Sequence, residues 1–166
     1  PIGLIRQGTV NGIQLIDGLL NVGEAKSPPL IEGVRQRSSG GMQIIDAPPG
    51  TSCSVLAGIK DVDYLILTAE PTPFGLNDLK LAVEMAQALQ LPFGVVINRS
   101  DIGDEETKKF CRELAIPILA EFPFDLEVAR LYSRGEIPAV ALPAYQERFR
   151  ELWRVILYRL GVNRNS

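Results

Sequence analysis

The sequence of 166 residues contains no histidine. That absence removes imidazole acid–base catalysis, histidine-based triads and histidine zinc sites together. There are two cysteines, Cys53 and Cys111, far apart in the chain. They form neither a disulfide framework nor a CxxC metal motif, which fits a reducing compartment and predicts a cytoplasmic protein. There is no basic surplus: 17 Lys and Arg stand against 20 Asp and Glu, a net charge of −3. Such a chain has little with which to neutralise phosphates, so a nucleic-acid partner is not expected. No apolar run is long enough to span a bilayer, and no signal-peptide pattern opens the chain. Internal repeats and low-complexity linkers are also missing. Pro1 stands where a methionine would open a complete reading frame; methionine removal and a cut inside a longer polypeptide both explain it.

What is present is enough for a core. The length fits one domain, spanning 1–166, and 46% hydrophobic with 22% charged residues argues against disorder. Residues 1–24 read as a β-hairpin region, with Asn11-Gly12 and Asp17-Gly18 as turn pairs between short apolar runs. Pro28-Pro29 before Leu30, Ile31 and Val34 predicts a short helix with proline in its first turn. Beyond it, short apolar runs at Met42–Asp46, Tyr64–Ala69, Phe93–Asn98 and Ile116–Glu121 alternate with helical stretches. The helices are expected at Val55–Lys60, Asn77–Gln90, Glu105–Leu114 behind Asp104 as N-cap, and Leu126–Tyr132. Tyr145, Phe149, Leu152, Trp153, Ile156, Leu157 and Leu160 form the apolar stripe of a long C-terminal helix.

Four continuously apolar strands alternating with helices predict an α/β fold with a mostly parallel sheet covered on both faces. In such sheets ligands bind beyond the carboxyl ends of the strands. Four loops should share that rim: Asp46–Cys53, Glu70–Gly75, Asn98–Asp104 and Phe122–Asp125.

Asp46 ends an apolar run and Pro48-Pro49-Gly50 follows. A carboxylate there can hold water on Mg²⁺, and the Gly50 amide can swing toward a terminal phosphate. An ordinary solvated Asp before a strand–helix turn fits the same residues. Asn98 in Asn98-Arg99-Ser100-Asp101 can anchor neighbouring loops or hydrogen-bond a purine edge, with Asp101 beside it; Asn and Asp are also common as plain turn residues. Pro123, Phe124 and Asp125 shape a base pocket or make a plain connection, with Asp125 as N-cap; Thr72 is a candidate N-cap too. Cys53 near a helix start could favour thiolate or metal ligation, or be a small half-buried residue. Cys111 beside Phe110 and Leu114 reads as core. The stretch from Gly18 through Gly23 to Lys26-Ser27 looks like a Walker A loop, but two residues separate Gly23 from Lys26 where none should. It is not read as a phosphate-binding loop.

The segments LNVGEAKSPPLI, IIDAPPGTSC, TAEPTPFGLNDLKLAVEMA, FGVVINRSD, IPILAEFPFD and YSRGE occur in this order. Together they resemble the MinD/ParA superfamily of P-loop ATPases, nearest the MinD-type ATPases that carry an inserted ferredoxin domain. The resemblance covers nearly the whole chain and matches the part C-terminal to that insert.

It implies a P-loop NTPase fold of the MinD and nitrogenase iron protein type, here lacking the N-terminal P-loop strand. It implies ATP or ADP with Mg²⁺, a homodimer formed through the nucleotide face, and a redox or metalloprotein client. Asp46 is then the switch acid near Mg²⁺, Pro48–Thr51 the switch loop with Gly50 in it, Asn98 with Asp101 near adenine, and Pro123–Asp125 the loop closing over the base. The nitrogenase iron protein carries a cluster-ligating cysteine seven residues after its switch acid. Asp46 and Cys53 have the same spacing, so Cys53 becomes a candidate cluster ligand. An iron–sulfur cluster is otherwise expected in the ferredoxin insert, which is not in this chain. The missing P-loop predicts that the chain alone neither binds ATP tightly nor hydrolyses it. A nucleotide-independent interaction module that keeps the fold is the rival reading. A phosphoacceptor receiver domain ranks below both, because its acidic cluster and late rim lysine are not evident.

Overall fold

The computed structural model describes residues 1–38 and 40–162. The chain divides into two compact units, Pro1–Val62 and Asp63–Ser166.

In the first unit, strands β1 (Gly3–Val10) and β2 (Ile13–Leu20) pair antiparallel from Gly3↔Leu20 to Val10↔Ile13. Asn11 and Gly12 join them, both at positive φ, 51° and 79°. That is the backbone of a type I′ turn, whose twist matches the strands it connects. Asp17-Gly18, expected as a second turn, instead lies within β2. Gly18 serves packing: a Cβ there would stand 3.0 Å from both Leu30 and Val34 of helix α1 (Pro28–Arg35). The hairpin therefore buries one face under α1. The other face leaves Leu4, Val10, Ile13, Leu15 and Leu19 more than half exposed. Helix α2 (Cys53–Ile59) packs on α1. The Ser27 and Ser54 hydroxyls share a hydrogen bond, and Arg35 Nη1 donates to the Ala57 carbonyl at 3.1 Å.

Met42–Asp46, expected as the first central strand, joins no ladder among the described residues, and Ile44 is 85% exposed. An apolar run becomes a strand only when a neighbour takes up its N–H and C=O groups. No such neighbour is described, so three parallel strands stand where four were expected.

In the second unit, strands β3 (Leu65–Ala69), β4 (Phe93–Asn98) and β5 (Ile118–Phe122) form a parallel sheet in the order β3-β4-β5. Helices α3 (Pro73–Ala88) and α4 (Glu106–Glu113) supply Leu79, Val83 and Cys111 to a core against Ala69, Val95 and Ile97. The opposite face buries Val96, Leu119 and Phe122 with Tyr145, Leu152 and Val155 of α7 (Pro143–Arg159). Helices on both faces match the expected layering. Between β5 and α7 lie α5 (Leu126–Ser133), as expected, and the short α6 (Pro138–Ala141), which the sequence pattern did not indicate.

The predicted N-caps Thr72 and Asp125 hold. Thr72 Oγ1 accepts from the Gly75 amide at 3.0 Å, and Asp125 Oδ1 from the Glu127 amide at 2.8 Å. At α4 the cap moves one residue on, to Glu105, while Asp104 Oδ1 accepts from the Glu106 amide at 3.1 Å.

Candidate functional site

The carboxyl ends of β3, β4 and β5 carry three loops that are tied to one another. The Ser100 amide donates to the Phe122 carbonyl at 2.9 Å, so the loop after β4 extends the ladder toward β5. The Phe124 amide donates to Asp101 Oδ1 at 2.5 Å. This locks the loop after β5 to the loop after β4. The Asp104 amide donates to the Pro71 carbonyl at 3.3 Å, which ties in the loop after β3. Gly103 makes that approach possible: its φ is 97°, and a Cβ there would fall 1.8 Å from the Pro71 oxygen.

Arg99 sits at the centre of this rim at φ 52°, a left-handed conformation uncommon for a residue with a side chain. Its guanidinium lies 5.5 Å from the Phe124 ring centroid, and its Nε is 3.7 Å from Glu70 Oε1. One planar cation thus spans the ends of β3 and β5 from the end of β4. Asn98 is exposed, and among the described residues no group takes its side-chain amide. Pro123 and Asp125 are half-buried, and Phe124 is exposed. Tyr145 of α7 is buried in the core, near Asp125. Burial first, and then the Asp125 carboxylate, push its hydroxyl above the ordinary phenol range.

The rim therefore gathers Asn98, Asp101, Pro123, Phe124 and Asp125, the residues expected to contact a base. It offers a free amide, an exposed aromatic face and a stacked guanidinium, groups suited to holding a flat heteroaromatic ring. Glu70 and Arg99 were missed as site residues. Arg99 directly after Asn98 was a signal in plain view; its positive φ had none.

Asp46, Gly50 and Cys53 share one loop of the first unit. Asp46 and Gly50 are exposed, and Gly50 has φ 87°. Cys53 is an exposed free thiol at the first position of α2. Among the described residues no cluster of three or more Cys, Asp or Glu side chains is placed to hold a metal ion. Nor is any described helix long and apolar enough to cross a membrane.

The fold is MinD-like. The chain superposes on the MinD cell division protein of Aquifex aeolicus with a TM-score of 0.53 and 17% identity, covering 66% of this chain and 50% of that one. In sequence, the chain is 30% identical over 156 residues to an uncharacterized protein of Methanocaldococcus jannaschii, covering 91% of this chain and 53% of that protein. A second uncharacterized protein of that organism is 28% identical over 138 residues, covering 81% and 48%. An iron-sulfur cluster carrier protein, again from M. jannaschii, is 28% identical over 134 residues, covering 70% and 46%. The chain thus spans about half the length of the curated relatives it matches. No family model matches it.

Proposed function

We propose that this chain is the C-terminal portion of a MinD-like, P-loop nucleotide-binding ATPase, lacking the N-terminal phosphate-binding strand. In the intact cytoplasmic protein it couples ATP binding and hydrolysis to the handling of an iron–sulfur or other metal centre, or of a redox protein. The observation that carries this reading is the rim on which Asn98, Arg99 and Phe124 converge in a MinD-like fold. The similarity to an iron-sulfur cluster carrier supports the metal side of it.

The residues divide the work. Asn98 hydrogen-bonds the adenine edge with Asp101 beside it, and Asp101 holds the Phe124 backbone in place. Pro123, Phe124 and Asp125 close over the base. Asp46 would hold a water of the Mg²⁺ shell, and Gly50 would offer its amide to the terminal phosphate. The bound magnesium supplies charge neutralisation of the phosphates. Cys53, exposed in the same loop, would be the chain's own candidate cluster ligand, and a homodimer formed through the nucleotide face would supply a second such thiol. A further cluster belongs to the ferredoxin insert.

The test is made on the intact protein. Asn98→Ala is expected to weaken ATP binding about tenfold, the loss of one well-made base hydrogen bond, while leaving the denaturation midpoint unchanged. Unaltered affinity in a folded Asn98→Ala protein removes the base-site assignment. The rival, a nucleotide-independent interaction module, draws on the exposed apolar face of the β1–β2 hairpin; it gains if the intact protein binds no nucleotide.

A further inference from the structure

We infer that Glu70 is a positioning residue of the base rim: its carboxylate holds the Arg99 guanidinium against the Phe124 ring and leaves the Nη end free for the nucleotide. This deepens the proposed function and rests on its reading of the rim as a base site.

Glu70 directly follows β3, and its backbone is fixed. Its carbonyl accepts from the Thr72 amide at 2.8 Å. Gly75 packs on the same carbonyl so closely that a Cβ there would fall 2.3 Å from the oxygen. The next residue, Pro71, is fully buried, and its own carbonyl takes the Asp104 amide. The side chain that caps α3 is Thr72, so the Glu70 carboxylate has no capping role there. It leaves the end of β3 from a rigid base toward Arg99.

Arg99 leaves the end of β4 from a left-handed backbone. A long side chain on an exposed rim samples many rotamers unless contacts select one. Two contacts, one from each flanking strand end, select it here. Nε is 3.7 Å from Glu70 Oε1, and the guanidinium carbon lies 5.5 Å from the Phe124 ring centroid. The nearby acid of its own loop, Asp101, already accepts the Phe124 amide. Among the described residues Glu70 is the carboxylate paired with Arg99.

An ion pair as exposed as this adds little to stability. It adds direction instead. A carboxylate at Nε leaves Nη1 and Nη2 as donors toward an incoming ligand. One face of the guanidinium lies on Phe124, and the other can stack on a flat ring. The exposed Asn98 amide stands beside it in sequence, at the end of the same strand.

Two measurements on the intact protein test this. Without nucleotide, the Phe124 ring current is expected to displace the Arg99 δ-proton resonances upfield. Phe124→Leu identifies that displacement, and Glu70→Gln is expected to abolish it. By titration calorimetry, Glu70→Gln should weaken Mg-ATP binding about two- to fivefold, the range of an exposed ion pair. Binding of Mg-tripolyphosphate, which has no base, and the denaturation midpoint should stay unchanged. In an Arg99→Gln background, Glu70→Gln should have no further effect. A ring-current displacement that survives Glu70→Gln overturns the inference, as does unchanged Mg-ATP affinity. Equal weakening of tripolyphosphate also overturns it. So does a loss that persists in the Arg99→Gln background, which would put Glu70 itself on the nucleotide. An intact protein that binds no Mg-ATP removes the proposed function instead, and the ring-current displacement still reports whether Glu70 holds the guanidinium.

Discussion

Arg99 holds a left-handed backbone that costs a side-chain-bearing residue roughly 1–2 kcal/mol. Its returns at an exposed site are small: about 0.5–1 kcal/mol from Phe124 and less than that from Glu70. Strain kept without compensation in stability points to use in binding. Arg99→Gly is therefore expected to change stability by less than about 1 kcal/mol in urea denaturation. The same change should weaken nucleotide binding by the intact protein about five- to tenfold through lost stacking. A large loss of stability with unchanged binding would make Arg99 purely structural. The two cysteines give a second residue-scale contrast. Cys53 is exposed and Cys111 fully buried, with burial pushing the Cys111 thiol above its ordinary range. With a thiol-reactive dye, Cys53 should be modified in the native protein and Cys111 only after unfolding, at rates differing at least about 100-fold. Linkage follows the same shift. The folded state keeps the Cys111 proton that the unfolded chain releases. The thiol's contribution is thus complete below about pH 8.5, the ordinary thiol value, and is lost as pH rises toward the raised folded value. Cys111→Ala should flatten that alkaline decline in the denaturation midpoint; an unchanged slope contradicts the assignment.

The β1–β2 hairpin shows what a glycine in a strand is for. Gly18 faces α1, where a Cβ would press on Leu30 and Val34, whereas nothing lies within 4 Å of a Cβ at Gly8. Gly18→Val is expected to destabilise by about 1–3 kcal/mol through overpacking. Gly8→Val should be neutral or slightly stabilising, since a β-branched residue suits an exposed strand position better than glycine. Thermal denaturation of the pair checks this, and equal effects would contradict the packing of α1 on the hairpin. The glycine also marks the limit of sequence reading at this scale. Asn11-Gly12 and Asp17-Gly18 have the same turn chemistry, and only the tertiary contact decides that the second is not a turn. Helix starts read unevenly: α5 opens at Leu126 behind Asp125 as expected, whereas α3 was expected from Asn77 and opens four residues earlier, at Pro73 behind the Thr72 cap. Strands β3, β4 and β5 read well because apolar character on both faces matches a covered parallel sheet. Met42–Asp46 carries similar apolar character and forms no ladder, because pairing belongs to the neighbour as much as to the segment. For the site, strand ends located Asn98, Asp101 and Phe124, whereas the φ of Arg99 depends on loop closure that no residue pattern encodes.

The molecule as a whole carries its candidate groups in two sets. Asn98, Arg99, Asp101, Phe124 and Asp125 belong to the rim of the second unit, where they are tied by backbone and side-chain hydrogen bonds. Asp46, Gly50 and Cys53 belong to a loop of the first. In the proposed function both sets serve a phosphate-binding loop that the 166 residues do not include. Base contacts alone hold a nucleotide weakly, because most of the binding energy of a triphosphate lies with the backbone amides, lysine and Mg²⁺ around its phosphates. The proposed function is thus a division of labour: this portion carries the base rim and the switch loop, and the rest of the protein carries the phosphate cradle. Isothermal titration of Mg-ATP into the chain alone and into the intact protein measures this most directly. No binding tighter than about millimolar is expected for the chain alone, and micromolar binding for the intact protein. Micromolar binding by the chain alone, or none by the intact protein, would contradict it.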